Sequence, residues 1–348
     1  MNFASDNAAG IAPEILAAIS RANAGAALAY GGDDWTRRIE QRLASMFERE
    51  VAVFLVATGS AANALALAHL APPWGAVLCH EQAHIATDEC GAPEFYGGGI
   101  KLVGLAGERG KVAPETLRRA LGGQWGGPHH VTPSVLSLSQ ATEWGTIYRP
   151  DELSALAAIA HARGLTVHVD GARLGNAIAR MNASLAEATW KAGVDALSFG
   201  ATKGGALAAE AIVFFDPTRA AAMAERRKRG GHLISKHRFI AAQFEAYLND
   251  DLWIKLARHA NDMADHLAAG LTTLGFSPIW PVEANEVFAP LPRRLDERLR
   301  AAGAIYHGWD SGAASSGVPL ADDCTLIRLV TSFATSKEEV DRFLAAAA

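Results

Sequence analysis

The sequence predicts an α/β fold, with a large unit built on a mainly parallel seven-stranded sheet and a smaller C-terminal α+β unit. Three observations carry this. Short apolar runs at residues 51–56, 76–79, 100–105, 134–139, 166–170, 195–199 and 211–216 alternate with helical patterns, as strand–helix–strand units do. Ser60, His84, Thr142, Asp170 and Lys203 each stand at or just after the end of one of these runs. Ligands of such sheets bind beyond the carboxyl ends of the strands. After about residue 240 the pattern changes to a long helical stretch, three short strands (285–289, 304–307 and 325–330) and a last helix over 337–348. The division expected is residues 1–240 for the large unit and 241–348 for the small one.

The elements follow in order. Pro13 opens a helix whose Ile15, Leu16 and Ile19 share a face. A loop, Tyr30-Gly-Gly-Asp-Asp-Trp35, leads to a helix over 36–48 with Ile39, Leu43, Met46 and Phe47 on one side. The strand at 51–56 runs into small residues, Ala57-Thr-Gly-Ser60-Ala61-Ala-Asn63, before a helix at 64–70. A turn of that kind exposes helical N–H groups and suits an anion. Pro114 begins the helix over 113–121, and residues 122–128 form a Gly-rich loop. The strand at 134–139 delivers Gln140, Thr142 and Glu143, and Gly164 stops the helix over 153–163. Asp170-Gly-Ala-Arg173 ends the next strand, and Gly200-Ala-Thr202-Lys203-Gly-Gly turns sharply after the one at 195–199.

Composition narrows the function classes. Of 348 residues half are hydrophobic, and 32 basic against 37 acidic residues give a net charge of -5. That balance gives no reason to expect nucleic acid or an anionic membrane as partner. Three scattered cysteines (Cys79, Cys90, Cys324) suggest neither a disulfide framework nor a metal site. The first residues lack the basic and apolar regions of a signal peptide, and no apolar run reaches spanning length, so a cytoplasmic protein acting on a small molecule is expected.

A lysine and an aspartate on strand ends, facing a phosphate-ready turn, suit pyridoxal phosphate. The Lys203 amine would form the Schiff base, and Asp170 would pair with the pyridinium nitrogen so that the ring acts as electron sink. Gly59, Ser60 and Ala61 would hold the phosphate, and His84 is placed to lie flat on the ring. Thr202 either shapes the turn or touches the phosphate. The first strand–helix turn has no Gly-x-Gly-x-x-Gly, which counts against a nucleotide-binding dehydrogenase. The intact set of Lys203, Asp170 and His84 counts against a non-catalytic binding protein.

These residues sit in an ordered set of motifs: Phe3-Ala-Ser5-Asp6-Asn7, Tyr30-Gly-Gly-Asp33, Thr58-Gly-Ser-Ala-Ala-Asn63, Ala83-His84-Ile85, His168-Val-Asp170-Gly-Ala-Arg173, Thr202-Lys203-Gly204 and Ile327-Arg328-Leu-Val-Thr331. Spanning residues 3–331, the set resembles the low-specificity L-threonine aldolases, in the β-eliminating-lyase group of fold-type-I pyridoxal phosphate enzymes. The resemblance implies retro-aldol cleavage of L-threonine, allo-threonine or phenylserine to glycine and an aldehyde, with another β-eliminating lyase as the alternative. It assigns Lys203 the Schiff base, Asp170 the pyridinium, His84 the stacking position and Gly59 and Ser60 the phosphate. Arg173 would contact cofactor and substrate, and Ser5 and Arg328 the substrate carboxylate. Tyr30 and the run Arg226-Arg-Lys-Arg229 match segments that reach a neighbouring subunit's site. A homotetramer with active sites at dimer interfaces is implied. One departure stands out. Many members carry a histidine after the strand equivalent to 134–139, where this chain has Gln140-Ala-Thr142-Glu143. The base for the β-hydroxyl proton is then His84, directly or through water, or Glu143.

Overall fold

The computed structural model describes residues 1–309 and 320–348. Its main sheet contains β1 (Ala52–Val56), β2 (Gly75–His80), β3 (Lys101–Leu105), β4 (Thr132–Ser139), β5 (Thr166–Gly171), β6 (Ala196–Gly200) and β7 (Glu210–Phe214), in the order β1-β7-β6-β5-β4-β2-β3. Only β7 runs against its neighbours, so six strands share one direction. Around it lie α1 (Pro13–Ala22), α2 (Asp34–Met46), α3 (Gly59–Leu70), α4 (His84–Thr87), α5 (Ala92–Tyr96), α6 (Pro114–Leu121), α7 (Pro150–His161), α8 (Leu174–Met181), α9 (Met223–Arg229) and α10 (Arg238–Leu248).

The strands read as unbroken apolar runs because both faces are covered. Val53, Leu55, Leu197, Phe199, Ala211 and Val213 join one core with α1, α2 and α10. Their alternates Val56, Ala196, Ile212 and Phe214 join another with α3. The helix expected over 36–48 begins two residues earlier, because the Asp33 carboxylate caps it by accepting the Thr36 N–H at 2.8 Å. It ends at Met46, and Glu48 turns into the left-handed region at φ 59°.

The smaller unit has a three-stranded antiparallel sheet, β8 (Glu286–Pro292), β10 (Cys324–Val330) and β9 (His307–Gly308), in the order β8-β10-β9. It packs with α11 (Leu252–Thr273), α12 (Arg293–Ala301) and α13 (Lys337–Ala347). From about residue 240, α10 and α11 connect the two cores. Ile240, Ala241, Phe244, Tyr247 and Leu248 of α10 belong to the large core, while α11 gives Trp253 to that core and Ala264, Leu267 and Leu271 to the small one. The first residues contact the small unit. Phe3 N–H donates to the Ile305 carbonyl and Phe3 C=O accepts from Val330 N–H, both at 2.8 Å, and the Phe3 ring meets Phe343 with centroids 5.2 Å apart. An apolar side chain on an extended segment gains about 2–3 kcal/mol from such burial. The chain start is therefore tied across the site to the small unit.

Candidate active site

A cavity of about 330 Å³ opens beyond the carboxyl ends of the parallel strands, and Lys203, Asp170, His84, Thr202, Ser60 and Gly59 all line it. Lys203 stands in the turn after β6, where Gly204 N–H donates to Ala201 C=O at 3.0 Å and Gly205 adopts φ 113°. A Cβ on Gly204 would come within 2.3 Å of the Tyr247 hydroxyl, so the glycine lets the turn seat on α10. Among the described residues Lys203 enters no ion pair, although Asp6, Glu210 and Glu286 are near enough to feel its charge. Thr202 shapes the turn: its hydroxyl oxygen accepts the Ala209 N–H at 3.2 Å. Glu210 lines the cavity behind it, and burial pushes this carboxyl up to about 7.

Asp170 is the penultimate residue of β5 and is held on both oxygens. Oδ1 accepts the Ala172 N–H at 3.0 Å and Oδ2 the Asn63 amide at 2.8 Å. The same Asn63 nitrogen donates to Glu89 Oε1 at 2.8 Å, and His84 Nδ1–H donates to that oxygen at 2.9 Å. His84, Glu89, Asn63 and Asp170 thus form one chain of hydrogen bonds. The Glu89 bond raises His84 above the ordinary imidazole value, more than burial lowers it. A carboxylate can only accept, so the proton sits on Nδ1 and Nε2 is the basic nitrogen. Glu143 follows β4. Its Oε1 accepts the Ser139 hydroxyl at 2.7 Å and the His84 backbone N–H at 2.8 Å, while the buried Oε2 has no partner. Burial raises the Glu143 pKa.

The amino end of α3 faces the same space. Thr58 accepts the Ala61 N–H on its hydroxyl at 3.2 Å and the Ala62 N–H on its carbonyl at 3.1 Å. The N–H groups left for a ligand are those of Gly59 and Ser60. Ala61, expected among the phosphate binders, is buried and outside the lining, and its N–H donates to the capping Thr58 hydroxyl.

Arg173 lines one wall and is clamped by Asp6, with Nε to Oδ2 at 2.7 Å and Nη2 to Oδ1 at 3.2 Å. Its Nη1 lies 3.5 Å from Glu286 Oε2, and Arg328 Nη1 lies 3.8 Å from Glu286 Oε1. A guanidinium in an apolar strand needs an anionic partner; within the chain, that of Arg328 is Glu286.

Arg328 is not among the residues lining the cavity, and neither are Ser5, Tyr30 or the basic run. Ser5 Oγ accepts the Asn7 N–H at 3.1 Å to cap a short helical turn, and Asn7 lines the cavity in its place. Tyr30 is half exposed, with Lys228 4.7 Å from its ring centroid. Of the basic run, Arg227 turns inward, donating to Leu55 C=O at 3.1 Å over the Phe54 ring. Sequence reasoning missed Glu89, Glu210 and Glu286 and gave no role to Asn63 or Asp6. The latter two lie inside the quoted motifs, whereas the three glutamates carry no local signal.

The description "Beta-eliminating lyase" fits residues 2–292 as a family. The chain is 48% identical over 307 residues to the low specificity L-threonine aldolase of Pseudomonas aeruginosa, covering 88% of each. Its structure superposes on a threonine aldolase of Leishmania major with TM-score 0.92 and 29% identity, covering 99% of this chain and 98% of that one. The fold alone is shared with the serine palmitoyltransferase of Sphingomonas wittichii (TM-score 0.72, 16% identity, 100% and 86% covered). Across nearly its whole length, then, the chain belongs to the β-eliminating lyases and, among them, to the low-specificity L-threonine aldolases.

Proposed function

We propose that this chain cleaves L-β-hydroxy-α-amino acids (threonine, allo-threonine, phenylserine) to glycine and an aldehyde, with pyridoxal phosphate held in the cavity. The observation that carries this is the convergence of Lys203, Asp170 and His84 on one cavity faced by the amino end of α3. The residues fit the cofactor. A Cβ on Gly59 would meet nothing within 4 Å, which leaves room for a phosphate against the Gly59 and Ser60 amides. Asn63 Oδ1, Glu89 Oε2 and Glu143 Oε2 are buried without partners near the same space, as groups awaiting a polar ligand are.

In this reading the Lys203 amine would hold the cofactor and yield its place to the substrate amine, Asp170 would face the ring nitrogen, and His84 would lie against the ring. The bound cofactor supplies a sink for the electron pair left at Cα when the Cα–Cβ bond breaks. His84 Nε2 takes the β-hydroxyl proton as that oxygen becomes the aldehyde carbonyl, and a proton returned to Cα completes glycine. The unpartnered Oε2 favours Glu143 as a second candidate for the same proton. Arg328 takes the substrate carboxylate, a task that suits a guanidinium fork. A homotetramer with sites at dimer interfaces is part of the proposal. Leu207 supports it by lining the cavity while 58% exposed, and Leu28 (73%) and Tyr30 (52%) are further exposed apolar groups. Among the described residues no helix is long and apolar enough to cross a membrane.

Incubation with phenylserine is the direct test: benzaldehyde and glycine are expected, and pyruvate with ammonia from serine in their place would identify another β-eliminating lyase. A second prediction concerns pH. His84 must be neutral to accept a proton, and its bond to Glu89 raises its pKa, so wild-type kcat/KM rises as pH climbs through that raised value. Glu89→Gln removes the raising partner. The acid limb is expected to move to lower pH and the plateau to fall roughly tenfold, because a less basic imidazole is a weaker proton acceptor. An unmoved limb would take the role from the His84–Glu89 pair.

A further inference from the structure

Among the described residues Glu286 is the buried carboxylate with both oxygens left without a hydrogen bond. It is 2% exposed, both carboxylate oxygens lack a hydrogen bond, and it lies between two guanidiniums at 3.5 and 3.8 Å. Those distances allow ion pairing but are too long for hydrogen bonds. Glu286 opens β8 and sits opposite Val330 in the small sheet, in the seam between the two units. A Cβ on Gly145 would meet its Cβ at 2.9 Å, so the loop after β4 presses on it from the other side.

The two arginines differ in what else holds them. Arg173 is fully engaged by Asp6 on the edge away from Glu286, and Asn285 steadies Asp6 by donating to Oδ2 at 3.1 Å. Among the described residues Arg328 has only the long contact to Glu286 and the face of Trp309, 4.5 Å from its ring centroid, and its buried Nε has no partner there. Asp6, Glu286, Arg173 and Arg328 together sum to zero charge. An arriving carboxylate would make the cluster net negative.

We propose that Glu286 is an affinity-limiting counterion for the substrate carboxylate: it holds Arg328 loosely in the absence of substrate, and its charge limits how tightly any carboxylate is bound there. The inference rests on the reading of Arg328 as the carboxylate group's partner. Arg328 would turn its unpartnered edge to the substrate, while Glu286 remains behind it as a fixed negative charge. Its consequence is weak retention of glycine, the product, which shares the carboxylate with every substrate. The length of β-substituent then adds affinity on top of a deliberately modest anchor.

Glycine binding to the holoenzyme at equilibrium, measured by titration calorimetry, reads this without turnover, with KM and kcat for threonine alongside. Glu286→Gln keeps the shape and removes the charge. It is expected to tighten glycine roughly tenfold and lower KM for threonine by a similar factor, as loss of one nearby like charge in a partly buried site does. Glu286→Asp, which keeps the charge, is expected to stay near the wild-type affinity. Should Glu286→Gln not fold, Glu286→Ser, with room for a water between the guanidiniums, carries the same expectation. Weaker glycine binding in the neutral variants would overturn the proposal and make Glu286 a scaffold for Arg328. Arg328→Ala separates the two readings. If it leaves glycine affinity unchanged, the carboxylate subsite itself is misplaced. If it weakens binding while Glu286→Gln fails to tighten it, only the counterion role falls.

Discussion

Replacing Lys203 with alanine is expected to abolish turnover of phenylserine, with a loss of roughly four orders of magnitude. The size follows from what the amine does. In the proposed reading it is the group that exchanges with the substrate amine, and among the described residues no other lysine lines the cavity. The fold should survive, because the turn is set by backbone bonds of Ala201, Thr202, Gly204 and Gly205 and by the seat of Gly204 on Tyr247. Two measurements are needed together: benzaldehyde release over time, and the visible absorbance that remains after dialysis. Wild-type protein should keep its colour, and the variant should lose it while retaining its circular dichroism. A variant that stays coloured and active would remove Lys203 from the chemistry.

Asp170→Asn is the second large effect, with kcat expected to fall roughly a hundredfold or more and KM to change little. The substitution keeps the side chain's shape between the Ala172 amide and Asn63. It removes the negative charge that would hold the ring nitrogen protonated, and it sets an amide N–H₂ against that of Asn63. The polar row beneath Asp170 should not compensate. His168, two residues earlier on β5, is buried between Ser137 at 2.9 Å and Ser198 at 3.0 Å, and burial depresses its pKa to about 4. A neutral imidazole there cannot supply the missing charge contrast. Steady-state kinetics on phenylserine decide the matter, and a kcat within fivefold of wild type would place the electron sink's partner elsewhere.

The ends of the strands were legible because each is announced locally. Asp170-Gly-Ala-Arg173 and Thr202-Lys203-Gly204 are breaks in apolar runs, and the runs themselves reflect strands buried on both faces. The Gly59–Ser60 turn was legible for the same reason, although the cap by Thr58 that removes Ala61 from the site shows only in three dimensions. The change in pattern near residue 240 marks where helices lengthen, not which core they enter.

What the amino-acid order determined by itself is the large α/β unit, the place of its ligand site and the identity of Lys203, Asp170, His84 and Arg173 as residues gathered there, since period and punctuation are short-range properties of a chain. Only the tertiary structure decided their partners. Asp6 reaches Arg173 across 167 positions, Asn285 reaches Asp6 across 279, and Glu286 meets both arginines from the first position of β8. Buried charges must be compensated wherever the fold happens to bring an opposite charge. That compensation, unlike a strand or a turn, leaves no pattern in the neighbouring residues.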